Sequence, residues 1–151
     1  MDELTPTYHS EDLRERIMAF EEELLRHPQI EIPVKQYFCN GVYLRRVDMP
    51  AGALVTGRIH KFPCLNIIMK GAVEVVTDQG AVLYRAPVIF ESPAGAKRAL
   101  RVIEDCTWVT AHPNPENKRR PAHEMMERLT CASFDDPALM ADSMMEEELL
   151  P

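Results

Sequence analysis

Arg58, His60 and Lys61 form one short basic run, and Lys97 and Arg98 form another. Guanidinium groups offer paired hydrogen bonds to carboxylate and phosphate, so these residues are candidates for holding an anion. Asn66 adds an amide that can read another amide or a base edge. Trp108 can stack on a planar ring, although a single strand tryptophan also fits a core. His60, Cys64 and His112 are a different set, two imidazoles and a thiol that suit zinc. In an extended strand residues 58, 60, 62 and 64 share one face, which lets His60 and Cys64 converge; the plainer reading of Cys64 is a packed thiol. Acid–base catalysis would need a base such as His60 or His112, an orienting carboxylate such as Glu104 or Asp105, and an acid such as Tyr43 or Tyr84. Nothing in their spacing pairs them. Glu104 and Asp105 also have a structural use, neutralising Arg98 and Arg101 across strands.

The segments carrying these residues read as short strands. Residues 42–47, 65–69, 72–77, 81–85, 88–91, 98–103 and 107–111 are β-rich, and glycine, proline and Asp78-Gln79-Gly80 punctuate them. No long crossover helix interrupts the series, which argues for an antiparallel sandwich or barrel over a parallel sheet. Helical arms flank it. Ser10 is an N-cap with Glu11 and Asp12 in the first turn, and Leu13, Ile17, Phe20 and Leu24 line one apolar face of a helix ending near residue 26, before Pro28. Residues 113–121 form a polar linker. One short helix is expected over 122–129. A second starts at Pro137 and carries Leu139, Met140, Met144 and Leu149. The expected divisions are a helical arm over 1–32, the β domain over 33–115, and a linker and helical arm over 116–151.

The chain of 151 residues is long enough to bury one real core. Its net charge of −7 hides an asymmetry, a net basic middle between two acidic arms. Such arms oppose the extended basic footprint that long nucleic acid requires. No apolar run approaches a membrane span, and the first residues lack a signal-peptide core, so a cytoplasmic protein with no membrane partner is expected. Cys39, Cys64, Cys106 and Cys131 form no C-x-x-C pair and read as free thiols of a reducing compartment.

Gly52, Arg58, His60, Cys64 and Gly71 stand at the spacing of the first cupin motif, G-x5-H-x-H-x3-E-x6-G. Pro87, Pro93, Gly95, Arg98 and Val102 stand at that of the second, G-x5-P-x-G-x2-H-x3-N. The stretch from about residue 41 to 114 therefore resembles the cupin superfamily. More narrowly, residues 56–61, Asn66, residues 92–98, Glu104, Asp105, Trp108 and residues 110–113 resemble small cupin-like proteins of tailed bacteriophages. The resemblance implies a mainly β, RmlC-like jelly-roll barrel with the two motifs side by side, so that His60 and Arg98 face each other. Of the four metal-ligand positions it implies, only His60 keeps its usual residue. Arg58 and Arg98 replace ligands with cations and disfavour a divalent ion.

The function expected on these grounds is a degenerate, non-catalytic cupin without metal or other cofactor. It would bind a small anion through Arg58, His60, Asn66, Lys97, Arg98, Trp108 and His112 and form a homo-oligomer. A nucleotide or nucleotide-derived signal, sequestered by a phage in the host cytoplasm, is the candidate ligand. Two other readings stay open: a structural or assembly protein contacting virion proteins, and a cupin isomerase or metal-dependent enzyme using the His60, Cys64, His112 set.

Overall fold

The structure is a computed structural model that describes residues 9–139. Its elements are α1 (Glu11–Leu24), β1 (Val34–Cys39), β2 (Gly41–Met49), β3 (Leu54–Thr56), β4 (Ile59–His60), β5 (Cys64–Thr77), β6 (Gly80–Arg85), β7 (Val88–Ser92), β8 (Ala99–Asn114), α2 (Ala122–Leu129) and β9 (Thr130–Cys131). The fold is a single mainly β, antiparallel jelly-roll domain. Two long strands hold it together. The first half of β5 pairs with β7 and its second half with β6. β8 pairs with β3 near its start and with β2 over its second half. Because β5 and β8 also pair with each other throughout, they build two half-sheets, β1-β2-β8-β5-β7 and β3-β8-β5-β6, joined at the bend.

The sequence expects β5 to break at Lys70-Gly71 and β8 at Glu104–Cys106. Both strands run through instead, bulging between Ile68 and Val73. A bulge bends a strand and sharpens its twist without ending the ladder. Gly71 has φ +85°, and a Cβ there would lie 2.1 Å from the Asp105 carbonyl oxygen. Only glycine permits that approach of β5 to β8. Glu104 and Asp105, expected to neutralise Arg98 and Arg101, do other work: Glu104 pairs with Arg85 at 3.0 Å, Asp105 accepts from the Ala51 N–H, and Arg101 pairs with Glu74.

Period-two alternation sends Met49, Ile68, Val73, Val75, Leu100, Val102 and Trp108 into one core between the half-sheets. α1 forms as expected, capped by Ser10, whose hydroxyl accepts from the Leu13 N–H, and it stops at Leu24. Leu13 and Ile17 pack on Ala99, with Phe20 and Val76 alongside, so the helix lies against β5 and β8. Ser10 also hydrogen-bonds to Asp78 in the β5–β6 turn. At the other end α2 places Met125 and Leu129 against Tyr43, Phe38 and Phe62. β9 then pairs with β4, an attachment the sequence pattern does not reveal. The expected helix from Pro137, with Met140, Met144 and Leu149, lies almost wholly outside the described residues. No described helix is long and apolar enough to cross a membrane.

Gly71→Ala is expected to destabilise the protein by on the order of 3 kcal/mol or more, because left-handed strain and a backbone clash add. Gly52→Ala, at φ +87° with open space around it, should lose only about 1–2 kcal/mol. Urea unfolding of the two variants measures the difference. Equal losses would remove the close approach at Gly71 as a determinant of the fold.

Candidate functional site

Strand alternation points Arg45, Val47 and Met49 of β2, Asn66 of β5, and Trp108, Thr110 and His112 of β8 toward the same interior. They line a cavity of about 300 Å³ with Ile32, Val55, Thr56, Gly57, Arg58, His60, Arg98, Leu100 and Met126. The loop carrying Arg58 and His60 is pinned to the one carrying Arg98. Gly57 N–H donates to the Arg98 carbonyl at 2.9 Å, His60 N–H to Ala96 at 2.9 Å, and Gly95 N–H to His60 at 2.7 Å. Lys61 N–H donates to the Leu129 carbonyl at 2.9 Å. That bond and Met126 bring α2 over the cavity.

Among the described residues the cavity is lined by three arginines and no carboxylate. Arg45 is half-buried, and its Nε is buried with no hydrogen-bond partner. Burial first, and the like charge of Arg58 further, push its pKa down. Arg98 donates to the Ser92 hydroxyl at 2.7 Å and lies 4.8 Å over the Phe90 ring. The apolar lining residues Met49, Leu100 and Trp108, with Ile32, Val47 and Val55 packed against them, belong to one core cluster. The cavity therefore has a cationic side and an apolar side.

His60 and His112 stack with ring centroids 5.5 Å apart, and Tyr43 stacks on His112 at 5.8 Å. Cys64 Sγ lies 3.4 Å from His60 Nδ1. One donor atom from each of His60, Cys64 and His112 lies within 4.8 Å of the others. Burial, then the charges of Arg98 and Arg45, hold His60 down to about 4. Burial, then His60 and Arg45, hold His112 down to about 3. Burial pushes the Cys64 thiol up to about 11, with Arg98 and the Ser92 hydroxyl opposing it. Both rings are thus neutral near pH 7 and the thiol is protonated.

Six of the seven residues singled out in the sequence, Arg58, His60, Asn66, Arg98, Trp108 and His112, line the cavity. Lys97 does not. Its ammonium is buried against Glu21 of α1 at 2.8 Å, with Thr56 donating to the same carboxylate, so it ties the arm to the barrel. Asn66 is not available to read a base edge: its amide donates to Ser92 at 2.7 Å and its oxygen accepts from the Trp108 indole at 3.0 Å. Trp108 has its N–H satisfied and packs in the core, forming part of the cavity wall. Tyr43 hydrogen-bonds to Gln36 at 2.6 Å, and Tyr84 stacks on Phe90; neither lines the cavity. Sequence reasoning missed Arg45. The alternation of Tyr43, Arg45 and Val47 contains the signal, but Arg46 beside it makes the inward arginine ambiguous.

No protein-family model matches the chain, and no curated protein matches it. Among solved structures it is similar to a cupin domain from Bordetella pertussis Tohama I, at 16% identity, covering 58% of this chain and 98% of that one, with a TM-score of 0.46. It is also similar to a cupin superfamily protein from Desulfitobacterium hafniense DCB-2, at 12% identity, 60% and 84% coverage and a TM-score of 0.48. KdgF from Halomonas sp. matches at 16% identity, 63% and 90% coverage and a TM-score of 0.48. These are likenesses of strand arrangement, and the chemistry of the site rests on the residues of this chain.

Buried neutral histidines make stability depend on pH. His9, also held down to about 4 by burial and then by Arg98 and Arg14, accepts the Lys97 N–H at 3.0 Å. In the unfolded chain His9, His60 and His112 take up protons near 6.5, but in the folded chain only near 4, 4 and 3. The unfolded state thus binds more protons in that interval. The stability these groups contribute is complete above about pH 6.5 and falls as pH drops, by at most about 4 kcal/mol per unit for three protons. Urea unfolding at about pH 7.5, 6 and 5 is expected to follow this decline, with a shallower slope in His112→Phe. A flat profile between about pH 6.5 and 5 would contradict it.

Proposed function

We propose that the protein binds a small amphipathic anion, a carboxylate or phosphate attached to an apolar or planar body, in the cavity between its half-sheets. The observation that carries this reading is the convergence of Arg45, Arg58 and Arg98 on a cavity that no carboxylate lines among the described residues. The Nε of Arg45 is buried without a hydrogen-bond partner, which is costly until an acceptor such as an anion joins it. Guanidinium groups fit planar oxyanions in a paired geometry. The imidazoles of His60 and His112 add neutral donors or acceptors. The wall of Ile32, Val47, Met49, Val55, Leu100 and Trp108 would take the apolar body. A volume of about 300 Å³ lies at the lower end of ligand sites, which favours a small acid over a cyclic dinucleotide.

The charge and shape of the cavity support binding. The acid–base set considered from the sequence is not assembled among the described residues: Tyr43 and Tyr84 lie off the cavity, and Glu104 and Asp105 are engaged elsewhere. The expected nucleotide ligand becomes an arm of the test.

Thermal melting against aromatic and medium-chain carboxylates, acetate, inorganic phosphate, sugar phosphates, mononucleotides and cyclic dinucleotides provides the test. A ligand at a hundred times its Kd should add roughly 2.7 kcal/mol, or about 5–10 °C at this size. The larger shifts are expected from amphipathic carboxylates or monophosphates. Arg45→Met should remove the shift, losing about 2–5 kcal/mol of binding. Arg58→Met, at the exposed rim, should lose less and mainly at low salt. If no anion shifts the melt, or Arg45→Met responds like the parent, the reading fails and a structural role in a larger assembly moves ahead.

A further inference from the structure

We propose that His60, Cys64 and His112 form a site for one soft divalent transition-metal ion of the zinc class, with its remaining coordination position open to the arginine-lined cavity. The anion reading stands without this inference, and the two fail separately.

The three residues arrive from different elements: His60 from β4, Cys64 from the start of β5, His112 from the end of β8. Their donor atoms lie within 4.8 Å of one another, and the His60–Cys64 separation is 3.4 Å. Zinc bonds of about 2.0–2.1 Å to nitrogen and 2.3 Å to sulfur put neighbouring donors of a tetrahedron roughly 3.3–3.6 Å apart. The first pair already has that spacing, and His112 offers a donor within 4.8 Å.

A second observation is independent of the spacing. His112 is 3% exposed, and its Nε2 is buried with no hydrogen-bond partner. A buried ring nitrogen usually has a partner; the ring here is stacked between His60 and Tyr43, with the Cys64 thiol nearby. The donor chemistry also agrees: a set of one sulfur and two imidazoles favours zinc, cobalt, nickel or copper over magnesium or calcium. Cys64 and His112 also line a groove on the outer side with Val42, Pro63, Leu65 and Pro113, which offers a path from solvent.

The nearby charges of Arg45 and Arg98 oppose a cation. Binding offsets this in part because the metal displaces the thiol proton: the S–H bond breaks, a sulfur–metal bond forms, and one proton goes to buffer. The remaining positive charge, beside three arginines, suits an anion at the open position. Sequence spacing disfavours metal because Arg58 and Arg98 stand where ligands are expected. The fold supplies His112 from another strand.

The test is a cobalt titration of metal-stripped, untagged protein in a Cys39→Ser background, because Cys39 is an exposed free thiol. Saturation at one equivalent is expected, with intense tetrahedral bands and a thiolate-to-cobalt charge-transfer band, both removed by zinc but not by magnesium or calcium. Cys64→Ser should lose the charge-transfer band, and His112→Gln should weaken binding at least tenfold. Melting curves matching the parent's verify that each variant folds. If Cys64→Ser does not fold, alkylation protection of Cys64 by zinc in the parent replaces it. Absence of saturable binding, an unchanged band in Cys64→Ser, or alkylation of Cys64 at the same rate with and without zinc overturns the inference. An anion that stabilises metal-free protein while cobalt gives no signal sinks the metal site alone.

Discussion

The pairing of β5 with β8 is the constraint on which the rest of the molecule depends. These strands of 14 and 16 residues are each shared by both half-sheets, so their bend sets the angle between the sheets and the width of the space enclosed. The bend is possible because Gly71 lets β5 approach the Asp105 backbone. The same two strands carry Cys64, Asn66, Trp108, Thr110 and His112, so register and site are fixed together. A slip of one residue would turn all five outward.

Around this pair the polar groups are unevenly satisfied. Ser92 is a junction: Arg98 and Asn66 donate to its hydroxyl, and Asn66 accepts from Trp108. That network positions the cavity wall and leaves its members little freedom to rearrange. Glu21 joins Lys97 and Thr56 and so binds α1 to the barrel. By contrast, three buried side-chain nitrogens among the described residues have no hydrogen-bond partner: Arg14 Nε on α1, Arg45 Nε and His112 Nε2. Buried polar groups are costly when unpaired, and the last two belong to residues that line the cavity.

Much of this was legible in the sequence because local signals agreed with the global fold. Ser10 and the Leu13–Ile17 face specified α1, and motif spacing brought Arg58, His60 and Arg98 together. What was not legible depended on distant partners. Lys97 looked like a ligand contact because nothing local reveals Glu21 across the barrel. Gly71 looked like a strand end because a positive-φ glycine serves a turn and a bulge alike. The pairing of β9 with β4 joins two short segments far apart in the chain. Arg45 could not be told from Arg46 without knowing which face of β2 is inside.

The central claim is that Arg45 is held in the cavity for a ligand and not for the fold. Urea unfolding of Arg45→Met beside the parent, both refolded and dialysed free of small molecules at low salt, tests it most directly. Methionine approximates the length and apolar stem of arginine while removing a half-buried charge, whose Nε has no partner, from beside a like charge. The account predicts that the variant is more stable than the ligand-free parent, by about 1–4 kcal/mol. A variant less stable than the parent by a similar amount would show that Arg45 supports the fold, and would contradict the claim.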